Sequence, residues 1–363
     1  MNILYISSKK RWGGVTSWMQ RTAKALESRG HQVTILAHPE GKFVASAAKE
    51  LRVVARKLGM DYNPLAIRFL VKFIRENQVD LVVTNIEKEV IAGGVAARLC
   101  RIPNIRRVGR EDDFNEKFKV KMHHRLLVDR CVVPCNLVRD NAVKRAPWLD
   151  ESQFTTIYNG KNPKIFSKTT IARQRHEWGL SDGALIIGVT SQLTRQKNVH
   201  GLVRVFERLR DRYQNIVLVI TGEGNEKETL RKIVRDAHMD PWVVFSGFAA
   251  DPLRAASAYD IAVSNSDFEG FPNTVVEYFA AGRPVVTTDA GGVEEMVNDH
   301  ENGILVPKGD DDRLYDAIAV LIENDALRGV LAKNAINTID NGFSEDHMID
   351  RLESFFRESI SLN

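Results

Sequence analysis

At 363 residues the chain is too long for one comfortable core and suits two domains of ordinary size. Its 44% hydrophobic and 27% charged content is that of a soluble globular protein, and no apolar run approaches the ~18 residues needed to span a bilayer. The three cysteines cannot all pair, which excludes a disulfide scaffold and suits a reducing compartment.

Strand candidates in the first half are 2–7, 32–37, 80–84, 105–108, 131–134 and 155–158; the second half offers 184–190, 215–221, 242–246, 261–264, 284–287 and 303–306. Helical periodicity fills 15–28, 64–76, 200–213, 226–237 and 273–281, and the segment 345–359 reads as a last helix. Near-continuous apolar strands separated by helices predict parallel sheets covered on both faces. The pattern fills the chain twice, so the expected fold class is α/β: two doubly wound parallel-sheet, Rossmann-like domains facing each other across a cleft. We place the domains at 1–165 and 166–345, with the linker in 161–179 and a C-terminal helix at 346–363 that could return to the first domain. Ligands in this architecture bind at the carboxyl ends of strands, which puts the chemistry on the loops that follow them.

The net charge of +4 conceals an asymmetry between the halves. Residues 1–165 carry 30 Lys and Arg against 16 Asp and Glu, a net +14, and the remainder carries 21 against 31, a net −10. The basic half is expected to meet an anionic partner, and the absence of a recognition motif argues against nucleic acid. Residues 1–8 lack a charged leader and run straight into Lys9-Lys10-Arg11, which reads as a cytosolic start. The segment 117–148 mixes cations with Phe118, Val120, Met122, Leu126, Leu127 and Trp148. It fits either an anionic membrane surface or an amphipathic helix packed on its own sheet. Cys131 and Cys135, downstream of His123 and His124, could be drawn as a zinc site, but Val132-Val133-Pro134 reads more simply as a buried strand and its end.

The most informative stretch is 264–292, SNSDFEGFPNTVVEYFAAGRPVVTTDAGG. It leaves a strand, passes an acidic, glycine-containing turn and enters a helix near Pro272 and Asn273. Proline early in the first turn is preorganised for a helix start, so the N–H groups of Gly270, Phe271 and Asn273 are expected to be free for an anion or sugar hydroxyls. Glu269 lies in the turn and Glu277 one turn into the helix. Carboxylates at that spacing can each accept paired hydrogen bonds from a vicinal diol of one extended ligand.

This stretch resembles the paired-glutamate motif of the family 4 retaining glycosyltransferases, which have the two-domain GT-B fold. The flanking words resemble that family too: Thr221-Gly222-Glu223-Gly224, Phe245-Ser246-Gly247-Phe248, Arg283-Pro284-Val285-Val286, Gly291-Gly292 and 302–310. In the first half Gly13-Gly14 before a helix, Ser28-Arg29-Gly30-His31-Gln32-Val33 and Tyr158-Asn159-Gly160 have the family's form. The resemblance implies that Glu277 binds the ribose hydroxyls of a nucleotide sugar. Glu269 and the backbone of Gly270, Phe271, Pro272, Asn273 and Thr274 would hold the donor sugar. Gly14, Gln192, Arg195, Gly222 and Gly247 would complete the nucleotide-sugar contacts. Lys197 would neutralise the diphosphate, and Arg107 would take a catalytic phosphate or acceptor contact. Two departures stand out. Gln192 occupies the place of the family's usual arginine, and Arg106-Arg107-Val108-Gly109-Arg110 replaces a loop that usually holds a histidine.

The implied activity is transfer with retention of a hexose or N-acetylhexosamine, uridine diphosphate being the expected nucleotide, to a glycan or lipid-phosphate-linked acceptor in cell-surface polysaccharide or glycolipid synthesis. The implied setting is the cytoplasm, at the inner face of the membrane. No cofactor or metal is expected. The aspartate clusters Asp112-Asp113 and Asp310-Asp311-Asp312 mimic a metal-binding Asp-x-Asp motif, and the second reads more simply as a helix cap. Other readings are a degenerate nucleotide-sugar-binding regulator, favoured by the two departures, and a sugar-nucleotide epimerase on the same fold. A nicotinamide-dependent dehydrogenase lacks its G-x-G-x-x-G fingerprint here.

Overall fold

Short apolar runs become most of the strands, and helices such as Gly14–Ser28 and Val199–Arg212 follow them with one face buried. The computed structural model describes residues 1–10, 13–41, 44, 50–109, 114–180 and 183–362. It divides into two units: Met1–Tyr158 with Met348–Asn363, and Asn159–His347.

The first unit holds β1 (Asn2–Ser7), β2 (Gln32–Ala37), β3 (Arg52–Ala55), β4 (Leu81–Thr84), β5 (Asn104–Arg107), β6 (Arg130–Val133) and β7 (Phe154–Thr156). They form one parallel sheet in the order β3-β2-β1-β4-β5-β6-β7. β3 escapes the sequence pattern because it is a four-residue edge strand with both ends exposed, so Val53 and Val54 alone carry its signal. The core under β1, β2 and β4 includes Tyr5, Met19, Leu26 and Ile35, and the last helix, Glu345–Ser361, contributes Met348, Ile349, Leu352, Phe355 and Phe356 to it.

Helix Phe118–Leu127 buries His123, His124 and Leu127 and leaves Phe118 and Leu126 exposed. The His124 ring meets Phe114 and Trp148 edge-on, and burial lowers its pKa to about 4. His123 lies between Glu87 and Tyr62, hydrogen-bonded to both. Cys131 and Cys135 are buried, and desolvation lifts the Cys131 thiol to about 12. These imidazoles and thiols serve packing, as the strand reading of 131–134 anticipates.

The second unit holds β8 (Leu185–Thr190), β9 (Ile216–Thr221), β10 (Val243–Gly247), β11 (Ile261–Ser264), β12 (Val285–Thr288) and β13 (Ile304–Val306). The order is β10-β9-β8-β11-β12-β13, again all parallel. In each sheet the strand order reverses once, between β1 and β4 and between β8 and β11, and ligand sites of doubly wound sheets lie at the carboxyl ends of strands beside such a switch. The loop after β8 carries Lys197, and the loop after β11 carries Glu269.

Buried hydroxyls tie these strand ends together. The Tyr259 hydroxyl bonds Thr190 Oγ1 at 2.8 Å and Thr221 Oγ1 at 2.7 Å, and Thr221 Oγ1 meets Ser246 Oγ at 2.8 Å. The Tyr278 hydroxyl accepts from the Thr190 N–H at 2.7 Å. Burial raises the Tyr259 phenol to about 12, so it serves as a neutral donor and acceptor.

Candidate donor site in the second unit

Ser264 ends β11, and Ser264, Asn265, Ser266 and Glu269 are all buried, whereas Asp267 and Phe268 are exposed. The turn is pinned from two sides. The Asp267 N–H donates to Gln196 O at 2.9 Å and Gln196 Nε2 to Phe268 O at 2.7 Å, so the loops after β8 and β11 form one structure. On the other side, the Gly292 N–H donates to Gly270 O at 3.2 Å. Gly291 sits at φ +75°, and a Cβ there would lie 1.7 Å from Glu269 O. Only glycine lets the loop after β12 come that close.

Glu269 and Lys197 form an ion pair, and Ser266 Oγ donates to the same Glu269 oxygen at 2.7 Å. Lys197 lies in the short turn Arg195–Lys197, which Asn198 joins to helix Val199–Arg212 from a left-handed conformation (φ 44°). The pair joins the two residues singled out for sugar and diphosphate contacts. A low-dielectric pocket makes such a cation worth more to a developing negative charge than it would be in water.

Helix Asn273–Ala280 begins where the periodicity places it and ends one residue earlier, with Pro272 as its cap at φ −82°, ψ 73°. The expectation of a free Asn273 N–H is corrected: it donates to Phe271 O at 2.9 Å, closing a local turn. The Pro272 carbonyl accepts from the N–H groups of Val275 and Val276. Thr274 is half-buried in the first turn. Glu277 is paired with Lys161 at 3.9 Å, and Asn159 Nδ2 donates to Asn273 Oδ1 at 2.8 Å. Tyr158-Asn159-Gly160 was noted only for its form. The structure shows that the segment after β7 supplies polar partners to the helix that carries Glu277.

The remaining nucleotide-site candidates separate into backbone and side chains. The Gly222 N–H donates to Gly247 O at 2.8 Å, and Gly222 has φ +140° with an ideal Cβ only 1.8 Å from Ser191 O. Gly222 therefore lets the loops after β8, β9 and β10 stack closely. Gln192 and Arg195 are exposed, and neither side chain has a partner among the described residues. Arg195 does not join the Lys197–Glu269 pair.

Gly14 and Arg107 belong to the first unit. Gly14 opens helix Gly14–Ser28 with open space around it. Arg107 ends β5, is buried, and places its guanidinium 5.2 Å from the centre of the Trp18 ring on that same helix. Arg106 is buried over Phe114 and donates to Asn85 O at 3.3 Å. Sequence reasoning missed Glu89, a buried carboxylate that accepts from the Ser8 N–H at 2.6 Å and the Asn85 N–H at 3.0 Å. It joins the ends of β1 and β4 at the switch point, and no local pattern distinguishes it from a surface helix glutamate. Arg110 and Asp112-Asp113 lie outside the described residues. Asp310 caps helix Asp311–Glu323 by accepting from the Arg313 N–H at 2.9 Å, and Asp311 and Asp312 pair with Arg204 and Arg208. Among the described residues, no three His, Cys, Asp or Glu side chains are grouped as metal ligands would be.

Two parallel-sheet units, the second with a glutamate turn and a glutamate-bearing helix at its switch point, define the class of the GT-B glycosyltransferases. The chain matches the family model "Glycosyltransferase Family 4" over residues 12–164 and "Glycosyl transferases group 1" over residues 170–338, and it belongs to that family. Among its relatives is the lipopolysaccharide core biosynthesis glycosyltransferase LpsE of Rhizobium meliloti, 29% identical over 46% of this chain and 48% of that protein. The chain spans about half the length of the curated relatives it matches. A glycosyltransferase structure from Rickettsia africae superposes with a TM-score of 0.88 at 19% identity, covering 99% of this chain and 98% of that one. Anabaena HepE in complex with UDP gives 0.87 at 19% identity, covering 99% and 100%. These likenesses establish the fold.

Proposed function

We propose that this chain is a retaining, metal-independent glycosyltransferase that takes a hexose or N-acetylhexosamine from a uridine diphosphate sugar. The observation that carries this reading is the pairing of half-buried Lys197 with buried Glu269 beside the helix of Glu277. HepE solved with UDP-glucose supports the choice of nucleotide, and relatives named for lipopolysaccharide core and capsule synthesis support a glycan or lipid-linked acceptor. The acceptor hydroxyl attacks the anomeric carbon from the face the diphosphate leaves. The carbon–oxygen bond to the diphosphate breaks, and a diphosphate oxygen takes the acceptor's proton. Lys197 stabilises the charge that grows on the leaving group, which lowers the barrier because that charge is largest in the transition state. Glu269 holds the sugar hydroxyls, and Glu277 with Lys161 the ribose end.

Phe118, Met60 and Leu65 are exposed, the Lys119–Asp61 pair at 3.3 Å brings the segments of Phe118 and Met60 together, and exposed Lys117 and Lys119 flank Phe118. This surface suits peripheral contact with an anionic membrane. No helix among the described residues is long and apolar enough to cross one.

The test is to supply UDP-sugars with EDTA to the purified chain, together with lipid-phosphate-linked acceptors in anionic vesicles, and to read the product's anomeric proton by NMR. A product of the donor's own anomeric configuration, formed at undiminished rate in EDTA and faster on anionic than on neutral vesicles, is expected. An inverted product overturns retention, EDTA inhibition overturns metal independence, and equal rates on both vesicles overturn the membrane contact.

A further inference from the structure

Beyond the donor site, the second unit has a separate cavity of about 330 Å³ lined by five asparagines together with Glu295 and Glu301. Asn334, Asn337 and Asn341 lie at intervals of three and four residues, which places them on one stripe of helix Asp325–Thr338 and the turn Ile339–Phe343 that continues it. Asn298 faces them from the loop before β13. Asparagine competes with the helix backbone for hydrogen bonds and is a poor helix former, so propensity does not account for three of them along one stripe.

The amides divide by role. Asn302 is buried and fully engaged: it accepts from the Asn298 N–H at 2.8 Å and donates to Met296 O and to Thr338 Oγ1. Asn334 donates to Glu301 O at 2.7 Å. These two build the wall. Asn337 and Asn341 are exposed and have no hydrogen-bond partner among the described residues. No lysine or arginine lines the cavity, so nothing there attracts a phosphate. An aromatic ring completes it: Phe343, stacked nearly parallel on Phe271 of the donor loop, with centroids 6.3 Å apart and planes at 13°.

Paired amide donors and acceptors beside an apolar ring match a pyranose, whose hydroxyls ask for both and whose C–H face packs on an aromatic. We infer that this asparagine-lined cavity binds a neutral hexopyranose, either as a free sugar or as one unit of a glycan chain. The Phe343–Phe271 stack joins the cavity to the turn of Glu269, so a chain seated there is held beside the donor loop. The inference concerns binding alone and stands whether or not the chain transfers sugar.

The test is saturation-transfer NMR with methyl α-D-glucopyranoside and with maltotriose, on wild type, Asn337→Leu/Asn341→Leu and Glu269→Ala. Both asparagines are exposed, so the double variant should melt as wild type does; Asn337→Leu alone serves if it does not. Saturation of the probes in wild type and in Glu269→Ala is expected. In the double variant the affinity should fall about tenfold, as two lost hydrogen bonds imply. Tighter binding of maltotriose identifies a chain unit as the ligand, and equal binding identifies a single sugar. No saturation of either probe in wild type, undiminished binding in the folded double variant, or binding lost only in Glu269→Ala would each overturn the inference.

Discussion

A Gly291→Ala variant is expected to lose at least about 100-fold in sugar transfer. The methyl group would lie 1.7 Å from Glu269 O and 2.6 Å from its carbonyl carbon, both rigid backbone atoms. The φ of +75° adds strain of about 1–3 kcal/mol for a residue with a Cβ. The two backbone segments must separate, which shifts the Glu269 turn relative to the loop after β12. A displacement of about 1 Å at a reacting centre is enough for the predicted loss. Melting should drop by about 2–4 °C per kcal/mol in a unit of this size. Transfer and UDP affinity measured on the folded variant below its melting point separate the two effects. Wild-type turnover in this variant would show that the loop after β12 does not position Glu269.

Lys197→Met should reduce kcat about 1000-fold while changing UDP affinity far less. A cation about 4 Å from a phosphate contributes on the order of 4 kcal/mol at an effective dielectric of ~20, and each 1.36 kcal/mol is tenfold in rate. Methionine keeps the side chain up to its fourth atom and removes the charged nitrogen. It leaves Glu269 with Ser266 as its remaining partner in the pair, so some loss of stability accompanies the change. Single-turnover kinetics with saturating donor read the chemical step directly. An equal loss in affinity and rate would make Lys197 a binding group, and no loss in either would remove it from the site.

The architecture was legible because both sheets are buried on two faces, so most strands carry an apolar run. β3 was not, since a short edge strand with exposed ends carries little of one. The donor loop was legible through chemistry that local sequence displays, namely a glutamate turn, a proline at a helix entry and a second glutamate on that helix. Three features were not. The contact between Lys197 and Glu269 spans 72 residues and depends on the alignment of β8 beside β11. Lys161 becomes the partner of Glu277 only because the segment after β7 runs past that helix. The Asn273 N–H is not free as a helix start alone implies, because the cap at Pro272 turns it back onto Phe271.

The most direct test of the donor site is calorimetry of UDP with wild type and Glu277→Ala, in EDTA, with GDP and ADP as controls. Selective binding of UDP that weakens at least about tenfold in the variant is the predicted result, since a carboxylate holding two ribose hydroxyls contributes about 1.5–3 kcal/mol. Unchanged UDP affinity in Glu277→Ala, or no UDP binding by the wild-type chain, would contradict the placement of the nucleotide on the helix Asn273–Ala280.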